Sequence, residues 1–113
     1  MVSMDQKNKS EEEIARYSAS IISNELDPIE GCRLILELWY GLEEESNDDI
    51  NYLIAIESDS EHFPCSNNRE LYSPSYLETL DLEKEKLLAS EYDNIKEVCI
   101  SLMHKYRRGE FKL

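Results

Sequence analysis

A chain of 113 residues has the length of one domain, and 25 acidic against 12 basic residues give it a formal net charge of −13. Such a charge repels polyanions, so direct binding of DNA or RNA and attachment to anionic membrane surfaces are disfavoured. The 41% apolar content, with three Gly and three Pro, argues against wholesale disorder, and no apolar run approaches the roughly 20 residues that span a bilayer.

The N-terminal MVSMDQKNKSEEE is polar and lacks the apolar stretch of a secretory signal, so a cytoplasmic location is expected. Cys32, Cys65 and Cys99 are widely spaced without a CxxC pair, which points to neither a disulfide framework nor a zinc site. Two of the three are expected to be ordinary buried thiols.

Helix signals dominate the pattern. Residues 1–9 read as a disordered tail and 10–113 as a single helical domain. Ser10 with Glu13 has capping-box spacing, and the acidic run Glu11 to Glu13 suits the positive end of a helix dipole. Ile14, Tyr17, Ile21 and Ile22 then form an apolar stripe that runs out near Leu26. Asp27-Pro28 is a cap followed by proline at the first helical position, where its missing N–H costs nothing. The helix it opens carries Ile29, Cys32, Leu34, Ile35, Leu36, Leu38, Trp39 and Leu42, too dense a set for a thin stripe, and is predicted to be the centre of the core with Gly41 near its end.

From Glu43 to Glu61 there are eight carboxylates and no basic residue. Within this segment Ile50 to Ile56 is short enough to suit a strand or a helix, and a short helix is favoured, with Asp48 and Asp49 as caps, because a strand would lack a partner. Residues 57–73, with Pro64, Ser66, Asn67 and Asn68, read as one long irregular connection. Ser73-Pro74 repeats the cap-then-proline signature, with Asp81 as a possible cap of a continuation. Leu80, Leu87, Leu88, Tyr92, Ile95, Val98, Cys99, Leu102, Met103 and Tyr106 then keep helical steps, and Lys105, Arg107 and Arg108 suit the C-terminal end. A helix over 81–108 would be about 42 Å long. The fold class predicted is all-α, a small bundle of four or five helices with a long C-terminal helix.

Catalytic chemistry has little to stand on, and the chain is read as a non-enzyme without cofactor or metal. Glu57, Asp59, Glu61 and His62 match no spacing with a defined coordination geometry, and His104 suits a helix C-terminus better than a general base. A nucleophile elbow, a Walker A loop, GxGxxG and HExxH are all missing from the sequence. Cys65 lies in a turn-rich stretch where neighbouring Glu61 would raise its pKa, which disfavours a redox role. Trp39 and Tyr40 are core or rim aromatics, either of which can anchor an interface. A dense carboxylate surface with interleaved aromatics is what covers a basic, phosphate-binding cleft, with fast steered association.

AIESDSEHFP (Ala55 to Pro64), Arg69, LYSP (Leu71 to Pro74) and DPIEGCR (Asp27 to Arg33) resemble a group of small acidic bacterial proteins over most of residues 27–100. In size, acidity and lack of catalytic motif the chain also resembles immunity proteins of bacterial toxin systems, including those of contact-dependent growth inhibition. That resemblance implies a protein that binds and neutralises a cognate basic toxin domain, often a nuclease. The residues expected to meet this partner are Glu43, Glu44, Glu45, Asp48, Asp49, Glu57, Asp59 and Glu61, with Tyr52 or Tyr72 as an aromatic anchor. The alternative is a small regulatory or scaffold protein that self-associates through its long C-terminal helix.

Overall fold

In a computed structural model, residues 4–63 and 66–106 are described, with side chains over 6–63 and 69–106. The described residues form α1 (Met4–Ile22), α2 (Pro28–Leu42), α3 (Asp48–Ser60), a short 3-10 helix (Ser66–Leu71) and α4 (Pro74–Tyr106). The protein is all-α, as its apolar periodicity requires.

Cross-helix contacts fix the topology. Asn24 at the end of α1 meets Tyr92, and Glu11 near its start lies by Tyr106, so α1 runs antiparallel to α4. Along α3, Asp49 meets Ser101, Tyr52 meets Glu91, and His62 just beyond the helix meets Glu83, so α3 is antiparallel to α4 as well. With α2 packed between α1 and α3, the four α-helices alternate in direction around one core. Ile14, Ile21, Ile29, Cys32, Ile35, Leu36, Ile50, Leu53, Ile95, Cys99, Leu102 and Tyr106 fill it, and α2 contributes the largest share, as the density of its apolar positions predicted.

The ends of the helices follow local chemistry. Asp27 Oδ2 accepts from the backbone N–H groups of Ile29 (3.1 Å) and Glu30 (3.0 Å), and Pro28 sits at the start of α2. Asn24 takes a left-handed conformation (φ 65°), and the N–H groups of Asn24 and Glu25 close back on the carbonyls of Ile21 and Ser20, a Schellman ending for α1. Gly31 lies where α1 crosses: a Cβ there would stand 2.5 Å from Ile21 Cδ1 and 2.6 Å from its Cγ1. Buried Ser18 and Ser60 donate to the carbonyls four residues back, Ile14 (2.8 Å) and Ile56 (2.7 Å).

Four sequence expectations need correction. α1 begins at Met4, not Ser10, so residues 4–9 are helix where a tail was predicted; with neither Gly nor Pro between 4 and 22, nothing stops the helix at the cap-like serine. The cap of α3 is Asn47, whose side chain accepts from Ile50 N–H at 3.0 Å, while Asp48 and Asp49 lie in the first turn. The irregular connection of 57–73 is shorter than read, because α3 continues to the buried Ser60, whose hydroxyl bonds back to Ile56, and Ser66–Leu71 forms a 3-10 turn. Asp81 caps nothing; it lies inside an uninterrupted α4 of 33 residues. At 1.5 Å per residue α4 is about 48 Å long, which matches the long axis of the molecule, 47 Å. Cys65, Pro64, Arg107 and Arg108 lie outside the described residues.

Candidate functional site

The eight carboxylates of 43–61 do not make one surface. Glu43, Glu44 and Glu45 follow the C-terminus of α2, and Asp48 and Asp49 open α3 at the same end of the bundle, beside the last turns of α4. Glu57, Asp59 and Glu61 sit toward the opposite end of α3, about 13–20 Å from Asp48 by helix rise. Several are committed within the fold. Tyr106 Oη donates to Glu44 Oε1 at 2.7 Å and Ser101 Oγ to Asp49 Oδ2 at 2.6 Å. Burial, then the Glu44 carboxylate, raises the Tyr106 hydroxyl pKa. Asp48 and Asp49 also complement the positive end of α3.

Glu43, Glu45, Asp59 and Glu61 are different. All four are exposed and make no hydrogen bond or ion pair among the described residues. Glu45 lies in the connection between α2 and α3, and Glu43, Asp59 and Glu61 stand at the C-terminal ends of those helices, neither of which has a basic residue in its last turn. A negative charge there opposes the helix dipole by about 0.3–1 kcal/mol each, so helix stability does not account for them. Glu43 in addition holds the left-handed C-cap of α2 (φ 57°), a conformation that favours glycine; Gly41 lies two residues earlier in open space.

The two tyrosines part company. Tyr52 is half-buried, and its hydroxyl donates to Glu91 Oε2 at 2.6 Å, an oxygen that also accepts from Asn94 Nδ2 at 3.1 Å. Burial and Glu91 raise the Tyr52 pKa, and the two hydrogen bonds hold Glu91 below the usual carboxylate range. Tyr52 is therefore a strut between α3 and α4. Tyr72 is exposed and stacks on Tyr76 with ring centroids 5.7 Å apart. Trp39 is buried in the core with its indole N–H unpartnered among the described residues, and Tyr40, edge-on to it at 5.3 Å, is 56% exposed. Tyr76 and Tyr40 were within reach of the sequence as aromatics; their exposure was not.

His62 pairs with Glu83 at 3.0 Å and packs on Phe63, and the described residues include no group of three or more His, Cys, Asp or Glu placed to hold a metal. Cys32 and Cys99 are both buried, and burial pushes each thiol up to about 12; for Cys32 the neighbouring Cys99 adds to the effect. No described helix is long and apolar enough to cross a membrane. The connection after α3 is fastened by two arginines. Arg33 donates to the carbonyls of Ser60 (2.5 Å) and Phe63 (3.1 Å), and Arg69 makes a two-pronged contact with Asp81 at 2.9 and 2.8 Å. Lys84 reaches Asp27 at 2.8 Å.

Fold and surface together define an up-down-up-down helical bundle with an acidic exterior and uncompensated carboxylates at two helix C-termini. Compared with protein-family models, curated proteins and solved structures, the chain shows no match.

Proposed function

We propose that this is an immunity-type protein, which binds a basic toxin domain, such as a nuclease, and occludes it through negative charge. The observation that carries this reading is the set Glu43, Glu45, Asp59 and Glu61: exposed and unpaired among the described residues, with Glu43, Asp59 and Glu61 placed against two helix dipoles. Side chains that oppose the stability of their own helices are expected where a surface serves a partner. Their long-range field speeds encounter with a cationic surface, while single rim carboxylates alter mainly the on-rate.

The test separates binding from folding. In the variant carrying Glu43→Lys, Glu45→Lys, Asp59→Lys and Glu61→Lys, the changes at 43, 59 and 61 favour the local dipole while Glu45 lies in the α2–α3 connection, so the thermal midpoint should hold or rise. Co-expressed with the product of the adjacent toxin gene, the wild type should protect the cell and the variant should not. Equal survival with both removes this mechanism.

A second reading rests on the exposed Leu71, Tyr72, Tyr76, Leu82 and Ile100, which leave apolar surface on and beside α4 for a copy of the same chain. A sedimentation coefficient that rises with concentration favours it. The charge of −13 on each copy opposes it.

A further inference from the structure

The N-terminal half of α4 carries a groove of about 340 Å³ that the acidic segment does not include. Its apolar lining is Pro74, Leu77 and Leu82, and Leu82 is 54% exposed. Glu78 and Glu85, two turns apart on the same helix, line it as well. Neither makes a hydrogen bond or ion pair among the described residues. Between them Asp81 is already neutralised by the fork of Arg69. The groove therefore presents an apolar strip between two free carboxylates about 10 Å apart along the helix axis.

We infer that this groove takes a basic amphipathic helical segment of the partner protein, with an apolar side chain on Leu77 and Leu82 and a Lys or Arg one turn to either side meeting Glu78 and Glu85. The inference rests on the reading of the chain as a binder of a basic protein and adds where the apolar part of that contact lies. Charge complementarity selects the occupant. A second copy would set carboxylate against carboxylate, because the one cation that lines the groove among the described residues, Arg69, is held by Asp81. An acidic or nucleic-acid ligand meets the same repulsion. Tyr72 and Tyr76 are not part of this strip, since Tyr76 lies about half a turn round α4 from Glu78 and Glu85.

The probe is a synthetic amphipathic Lys/Leu peptide of about 14 residues, four helical turns, titrated into the isotopically labelled full chain. A peptide of the same composition, scrambled to abolish the apolar face, is the control. Amide shifts confined to residues 69–85, with the scrambled peptide bound more weakly, are the expected result. Glu78→Gln with Glu85→Gln should weaken binding about tenfold and flatten its salt dependence, whereas Glu43→Gln with Glu45→Gln, the same change in charge, should leave it within about twofold.

Equal losses in the two variants would mean charge attraction without a site, and shifts centred on 43–61, no binding, or self-association abolished by Leu82→Asp would each overturn the inference. The survival assay is independent of the peptide. Protection lost in the four-lysine variant with no peptide response in the groove removes this inference alone, and a groove response with protection unaffected removes the proposed function alone.

Discussion

From Ile95 to Tyr106, α4 buries Ile95, Cys99, Leu102 and Tyr106 in the common core, whereas from Pro74 to Asn94 it buries Leu80 alone. The first stretch is held by apolar contact. The second is tied down by Arg69–Asp81, His62–Glu83, Lys84–Asp27 and Tyr52–Glu91, with Leu82 and Tyr76 left in solvent. Exposed ion pairs contribute little each, so one helix joins a region stabilised by full burial to one held by Leu80, the partly buried Leu87 and Leu88 and marginal polar contacts. Glu78, Glu85 and the groove lie on the weaker half, which is where a surface can be shaped for a partner without cost to the core.

The largest expected effect separates the halves directly. Leu102→Ala, at a fully buried position, should cost about 2–5 kcal/mol, and Leu82→Ala should stay within about 0.5 kcal/mol, read as urea midpoints at constant slope. Gly31→Ala should destabilise by about 1–3 kcal/mol despite the better helix propensity of alanine, since the new methyl group meets Ile21. An equal or higher midpoint would show that Ile21 yields.

The two halves should also respond to opposite ends of the pH scale. Burial raises the Cys32 and Cys99 thiols from 9.0 to about 12, so their contribution to the core is complete below pH 9 and is lost as pH rises toward 12. Asp81 and Glu91 are held below the ordinary carboxylate values by Arg69 and Tyr52, so their contribution is complete above about pH 4.5 and is lost as pH falls through the lowered values. Amide exchange should therefore quicken first over 69–91 in acid, with the core still protected. Simultaneous loss of protection in both halves in acid would break the distinction. The smallest effect is a gain: Glu43→Gly should stabilise by about 0.5–1 kcal/mol, by relief of the left-handed cap of α2, with a calorimetric midpoint as the readout.

The core was legible because burial leaves a periodic record. The stripes of α1 and α2 and the steps from Leu80 to Tyr106 named the large apolar residues buried in those helices but not the small or polar Glu11, Ala15, Ser18 and Gly31, and Asp27-Pro28 and Ser73-Pro74 marked two helix starts. Capping signals misled where no breaker supported them, at Ser10 and Asp81. The acidic run was visible as composition, but composition is blind to helix ends. That Glu44 and Asp49 serve Tyr106 and Ser101 while Glu43, Glu45, Asp59 and Glu61 serve nothing within the described fold depends on pairings across more than 50 residues. The groove was hidden for a similar reason, since Arg69 and Asp81 had no sequence pattern to link them.

Tyr106 is fully enclosed, and its hydroxyl ties the last turn of α4 to Glu44 in the α2–α3 corner. Chain ends commonly tolerate trimming, but deletion that reaches this tyrosine removes a keystone from the interior. A nascent chain still short of Tyr106 therefore leaves the apolar faces of α1 and α2 without their final cover.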